Sequence, residues 1–318
     1  MALTQRPGGA TKGNGKALPQ NEESFPVAPE RLQLGGLDNS GSVDSVRLPP
    51  HSLAQTSGVY WEQPPPEALA SHFKCLWVHR MPTGSPANIA IVPDGCSDII
   101  WSSKGLALVG PDRVAALITV PAGETIIGAR FRVGAAASWL RTPLHEITGR
   151  TVPFDELWGR STDETETRMR EAADVPERLR VLAADLLQRR ATSHSPPADL
   201  AACIARIEAD QLTSGDPIRA LLQEIGISER TLRRHCHEHL GYGAKTLDRI
   251  LRLQRFLTAC RCGPANTLAS LALEAGYSDQ AHLAREARTL TSFTPREIKL
   301  QLTGRPGSGQ VGNLRSTI

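Results

Sequence analysis

The sequence predicts an α+β multidomain protein: a β-rich N-terminal domain, then an all-α C-terminal domain in which a linker helix joins two helix-turn-helix units. Three observations carry that prediction. Short apolar runs divided by turn residues extend from Val59 to about Gly134. From Pro197 to Leu302 the pattern is helical throughout, with breaks at Gly226, Gly241–Gly243, Gly263-Pro264 and Gly276. Within that helical half, one arrangement of glycine, capping residue and basic helix occurs twice, about fifty residues apart.

The 318 residues suggest about two domains. An apolar content of 40% is enough for real cores, while 23 Pro and 27 Gly imply much loop. The net charge of +3 says less than its location. Asp216 to Leu302 holds 13 Lys and Arg against 9 Asp and Glu, a balance of +4, so the remainder sums to −1. A C-terminal basic excess suits a polyanionic partner, and a solvated helical surface looks the same. No run of 18 apolar residues exists and no secretory apolar core opens the chain, so neither a membrane span nor export is expected. Cys75, Cys96, Cys203, Cys236, Cys260 and Cys262 form no CxxC pair, which fits reduced thiols and a cytoplasmic location.

In chain order, residues 1–55 are rich in Gly, Pro, Ser and Asn and read as a disordered tail. Residues 56–160 read as a β-rich domain for effector sensing or dimerisation. Its five or six strands lie in Phe73–Arg80, Asn88–Trp101, Leu106–Gly110, Ala116–Val120 and Thr125–Val133, with a strong turn at Pro93-Asp94-Gly95. A helix is expected at Ala135–Arg141, and His145–Gly159 reads as a covering segment. Residues 161–195 form a helical linker, with Pro176 at a first helical position behind Asp174. Its Leu179, Leu182, Ala183, Leu186 and Leu187 share a face that packs within the chain or against a second subunit. After a boundary at Thr192–Asp199 comes the helical domain, residues 196–303, with about seven helices; residues 304–318 are a second tail.

Laid side by side, the two units match Glu224 with Glu274, Gly226 with Gly276, Ser228 with Asp279, Leu232 with Leu283 and Arg234 with Arg285. Glycine permits the left-handed turn residue, and Ser228 or Asp279 caps the second helix of each unit. Those second helices fall near 229–239 and 280–289. Leu232 with Cys236, and Leu283 with Ala287, point one face of each to a core. The other face holds Arg230, Arg233, Arg234 and His237 in the first unit, and Gln280, Ala281, His282 and Arg285 in the second. Arg grips guanine or phosphate, and Gln reads adenine through two hydrogen bonds. Ala281 reaches no further than a thymine methyl. Between the units Ala244–Cys260 is amphipathic; its 17 residues span roughly 25 Å at about 1.5 Å each. Such a rod suits two reading helices about one DNA turn, roughly 34 Å, apart on one duplex face.

Pro197–Leu302, about a third of the chain, resembles the DNA-binding domain of the AraC-type transcriptional regulators. The likeness rests on Ala269–Ile298, which carries most of the signature, and on Gly226–Gln254. It implies that Arg230, Arg233, Arg234, Gln280, Ala281, His282 and Arg285 lie at base or phosphate of double-stranded DNA. The family usually has Phe where Cys236, Leu283 and Ala287 stand, Pro at Ala244 and Gly at Ser292. The first three departures predict a looser core. Val92–Trp101 and Gly128–Leu140 resemble the sensor-type domain of some actinobacterial-style members. By analogy that domain binds a small-molecule effector or forms a homodimer, and RNA polymerase is a further candidate partner.

Other chemistry is weighed on its residues. Arg234–Leu240 contains His235, Cys236, His237 and His239, but Cys236 sits at the core position, and two histidines rarely hold zinc. Asp94, Cys96 and Asp98 flank a turn and lead into a strand. The strands offer His72 and His79 alone, and no phosphate-cradling loop or GxSxG elbow is present. No metal, cofactor or catalytic residue is therefore assigned, and the chain is not read as an enzyme. The alternative is a metal-dependent or ligand-binding β-barrel enzyme or sensor whose helical part mediates protein interactions. Trp61, Trp77, Trp101 and Phe131 suit an apolar effector pocket or ordinary core packing equally.

Overall fold

A computed structural model describes residues 51–190, 195–209, 222–224, 226–263 and 266–303. The tail at 304–318, most of the tail at 1–55 and the boundary residues 191–194 lie outside the described residues.

The N-terminal domain contains two sheets. The larger has the order β2-β3-β8-β5-β6-β9 and is antiparallel throughout. It consists of β2 (Val59–Gln63), β3 (Phe73–Arg80), β5 (Asp98–Ser102), β6 (Gly105–Val109), β8 (Thr125–Phe131) and β9 (Thr151–Pro153). The smaller places β4 (Ala87–Ile91) between β1 (Ser52–Leu53), which is parallel to it, and β7 (Ala116–Val120), which is antiparallel. Pro93-Asp94-Gly95 carries the chain from one sheet to the other, with Gly95 at φ 85°. Trp77 lies opposite Gly128, where a Cβ would stand 2.3 Å from the indole, so the strand pair closes only over a glycine. Phe73 and Phe131 stack at 4.4 Å with Trp139 edge-on, and Trp101 is buried beneath the Arg178 guanidinium at 4.7 Å. These rings serve the core; Trp77, also buried, donates from Nε1 to Asp98.

The described residues correct four expectations. Nine strands form rather than five or six, since Val59–Gln63 is half-exposed and lacks a clean alternation. Ser52–Leu53 is a strand, so order starts before residue 56. The covering segment contains an edge strand, β9, as well as packed turns. Residues 161–195 are no mere linker. α3 (Asp163–Glu171) and α4 (Val175–Arg189) bury Met169, Leu179, Val181, Leu182 and Leu186 in the N-terminal core, which decides for packing within the chain over pairing with another subunit. Leu187 alone of the expected stripe is 40% exposed. Asp174 accepts a hydrogen bond from the Glu177 backbone N–H, and Pro176 is the second helical residue rather than the first. α1 (Ala136–Leu140) and α2 (Phe154–Trp158) complete this half.

In the C-terminal half, the described residues form α5 (Ala198–Glu208), a helical turn at 222–224, α6 (Glu229–Leu240), α7 (Ala244–Cys262), α8 (Leu268–Glu274), α9 (Gln280–Thr291) and α10 (Pro295–Thr303). The rod between the units is α7, with 19 residues rather than 17 and so about 28 Å long. No helix among the described residues is long and apolar enough to cross a membrane.

Candidate nucleic-acid interface

Local chemistry fixes both ends of each candidate recognition helix. Gly226 (φ 74°) and Gly276 (φ 84°) turn the chain in the left-handed region ahead of α6 and α9. The Ser228 hydroxyl accepts from the Thr231 N–H at 3.1 Å, and Asp279 Oδ1 accepts from the His282 N–H at 2.6 Å. Each acceptor satisfies a donor that the first helical turn leaves open. The His282 N–H bond above all, with the Ser278 hydroxyl, holds the Asp279 carboxyl below the usual carboxylate range. At the far ends, Gly241 (φ 77°) and Ser292 (φ 65°) take the left-handed C-cap. Ser292 does so with a side chain attached, at the position where glycine is expected.

The inward faces are closed. Leu232 is 3% exposed, and Cys236, Leu283 and Ala287 are 0% exposed, so all four are sealed from solvent. Burial pushes the Cys236 thiol up to about 12, which makes it an inert core group.

Among the outward residues, Arg230, Arg233, Arg234 and His237 on α6 are exposed, as are Gln280, Ala281 and Arg285 on α9. His282 is half-buried: its ring stands edge-on to Tyr277 at 5.3 Å, and Nδ1 lies 3.1 Å from the Ser278 hydroxyl. Among the described residues, no carboxylate forms an ion pair with any of these arginines. Elsewhere on the helices arginines are paired, as Arg249 is with Glu286 (2.6 Å) and Arg252 with Asp248 (2.5 Å). The α6 face therefore presents three exposed guanidinium groups and the α9 face one, none within ion-pair distance of a carboxylate among the described residues.

The tempting histidine cluster does not converge. Cys236 and His239 are buried, His235 Nδ1 lies 3.1 Å from Asp199, and His237 faces solvent. No group of three or more His, Cys, Asp or Glu is placed to hold a metal ion among the described residues.

Two features went beyond the sequence reading: Arg130 as the partner of the Asp94–Asp98 turn, and the docking of the two halves. In the first, Arg130 gathers Asp98 (3.1 Å), Asp94 (3.3 Å) and Glu62 (3.8 Å) on one face of the large sheet. Burial opposes the Arg130 charge, but Asp98 and Asp94 outweigh it and hold the guanidinium protonated. Asp94 Oδ1 also accepts from the Cys96 N–H, and burial pushes the Cys96 thiol well up, so this turn-plus-strand set is an ion-pair network beside a protonated thiol. In the second, the N-terminal domain docks directly on both helix-turn-helix units. Arg113 Nη2 and Thr148 Oγ1 donate to the Gly241 carbonyl, Gln254 donates to the Pro93 carbonyl, and the Leu53 N–H donates to Gln301. These partners lie 93 to 248 residues apart, and no local sequence signal announces them.

Comparison with known proteins agrees with this division. Residues 221–301 match a helix-turn-helix domain family, and residues 62–153 match a domain of unknown function, DUF6597. The invasion protein InvF of Salmonella typhi is 34% identical over 88 residues, covering 28% of this chain and 40% of that protein. InvF of Salmonella typhimurium gives the same figures. The chain thus spans less than half the length of these curated relatives. Among solved structures, a probable AraC family transcriptional regulator from Rhodopseudomonas palustris is 25% identical, with 35% of this chain and 100% of that one covered and a TM-score of 0.30. ToxT from Vibrio cholerae is 12% identical over 72% of this chain and 97% of its own, with a TM-score of 0.39.

Proposed function

We propose that this chain, whose residues 221–301 form an AraC-type helix-turn-helix domain, is a sequence-specific DNA-binding transcriptional regulator that reads two successive major grooves with α6 and α9. The observation that carries the reading is the pair of capped helices, each buried along one face and carrying exposed arginine on the other, Arg230, Arg233 and Arg234 on α6 and Arg285 on α9. A B-DNA major groove about 12 Å wide admits one such helix. Arg230, Arg233, Arg234 and Arg285 supply phosphate attraction or guanine recognition, Gln280 and His282 reach base edges, and Ala281 touches a thymine methyl. The chain is read as a cytoplasmic, non-enzymatic regulator. Its N-terminal domain is the part that senses a small molecule or pairs with a second copy, and RNA polymerase is a further partner.

The test is selection of binding sites from random duplex DNA with the full chain, followed by affinity measurements at several salt concentrations. The expected result is a motif of two segments about one turn apart, with affinity falling steeply as salt rises. Arg234→Ala and Arg285→Ala should each cost about 1–3 kcal/mol on that motif. Weak, uniform binding with no enriched sequence would overturn the reading. Equal losses on specific and random DNA would assign those two arginines to phosphate alone.

A further inference from the structure

The two helix-turn-helix units have separate cores. The first joins Leu232, Cys236 and Leu240 to Leu247 and Ile250 on α7; the second joins Leu283, Ala287 and Leu290 to Leu253, Phe256 and Leu257 on the same helix. Among the described residues, two bodies contribute to both cores. One is α7. The other is the N-terminal domain, which sends Val133 to the first core and Leu53 and Val92 to the second. A connection through one helix leaves bending and twisting freedom between the units. Their relative pose therefore depends on the second bridge.

That bridge includes a short grip on the recognition helices themselves. Arg113 Nη2 donates to the Gly241 carbonyl at 2.8 Å, at the C-terminal end of α6. Two residues further along, the Ala115 N–H donates to the Leu290 carbonyl at 2.7 Å, in the last turn of α9. Both bonds engage helix-end carbonyls that the helix itself leaves open, and the Arg113 charge lies at the favourable end of the α6 dipole. Val114, between them, is 53% exposed, so the segment is held by its two ends and not by its own burial.

We propose that the Arg113–Ala115 segment is a spacing gauge: by holding the C-terminal ends of both recognition helices it fixes their separation, and with it the number of base pairs between the two operator segments this chain accepts. The proposal rests on the DNA-reading function above. Each inserted base pair moves the second segment about 3.4 Å along the duplex and about a tenth of a turn around it. A gauged pair of helices cannot follow that shift without breaking one set of base contacts.

The experiment uses the selected operator with its two segments moved by −1, +1 and +2 base pairs, and compares the full chain with Arg113→Ala and with a chain carrying one glycine inserted after Val114. The unaltered chain should lose about tenfold or more per base pair of displacement, the scale of a mismatched base contact. Both variants should flatten that profile to about threefold while binding the original spacing nearly as well. Thermal melts of the variants establish that they are folded, and the two alter the grip at different points, so either suffices. A steep profile that persists in the folded variants overturns the gauge and leaves the DNA reading intact. So does a uniform loss at every spacing, which would make Arg113 a phosphate contact. If the unaltered chain shows no sequence preference, the DNA reading fails, and the gauge with it.

Discussion

Gly241→Ala separates backbone strain from domain docking, because a second glycine in the same unit supplies the control. Gly241 and Gly226 share the left-handed conformation, at φ 77° and 74°. An alanine there carries about 1–2 kcal/mol of backbone strain. At Gly226 nothing among the described residues lies within 4 Å of the added Cβ, so strain is the cost counted there. At Gly241 the Cβ would stand 2.1 Å from Thr148 Oγ1, 3.1 Å from the Leu144 carbonyl oxygen and 3.2 Å from the Pro111 ring. Thr148 must then turn away, abandoning the bond that its one hydroxyl proton shares between the Leu144 carbonyl at 2.9 Å and the Gly241 carbonyl at 3.3 Å. One such bond is worth about 0.5–1.5 kcal/mol, so Gly241→Ala should cost about 1.5–3.5 kcal/mol against 1–2 for Gly226→Ala. Thr148→Ala removes the clashing oxygen in advance. In a double-mutant cycle followed by urea unfolding, Gly241→Ala and Thr148→Ala should therefore cost less together than the sum of their single losses, by about 0.5–1.5 kcal/mol. Equal costs for the two glycine variants, with additive behaviour in the cycle, would refute docking of the N-terminal domain at this turn.

Two further expectations concern stability. Ser292→Gly relieves a left-handed side-chain-bearing residue at the exposed C-cap of α9, where the backbone N–H already bonds to Arg288, and should raise stability by about 1 kcal/mol; an unchanged or lowered melting temperature would contradict it. Burial pushes the Asp112 carboxyl up to about 7, with Asp94 and Asp98 adding to the shift. The folded chain thus holds this proton more tightly than an ordinary carboxyl near 4 does, so the stabilisation is complete below about pH 4 and is lost as pH rises toward 7. Asp112→Asn should gain on the parent chain between pH 5 and pH 8; parallel stability profiles would rule out the shift.

What was legible in the sequence was local. β3 and β7 lie at Phe73–Arg80 and Ala116–Val120 as their apolar runs and flanking turn residues indicate. The turns at Gly226 and Gly276 and the caps at Ser228 and Asp279 are written in adjacent residues, because a cap requires a particular side chain three positions from a particular N–H. What stayed hidden was partnership at a distance. The apolar stripe of α4 was visible, but whether it met a second subunit or the N-terminal core depended on residues far away in the chain. β9 is three residues long and becomes a strand only because β6 leaves an edge for it. Arg113 and Ala115 have no periodicity to betray them; their partners are backbone carbonyls, which every residue possesses.

The small residues on the inward faces show the same limit from the other side. Judged within the helical domain alone, Leu283 and Ala287 in place of bulky aromatic rings should leave room in the second unit. Yet both have no exposure, and the cluster they belong to includes Leu53 at 2% exposure and Val92, neither of which belongs to the helical domain. The second unit thus draws part of its apolar cover from the N-terminal domain, and the Leu53 N–H bond to Gln301 pins that cover to α10. Apolar burial of this kind stabilises by about 25 cal/mol per Å² removed from water, whichever domain supplies the surface. A core shared in this way ties the stability of the DNA-facing helix to the position of the N-terminal domain. Any change that moves Leu53 and Val92 out of this cluster thins the apolar cover of the core that α9 shares, and β1 reaches that core through its packing on α10.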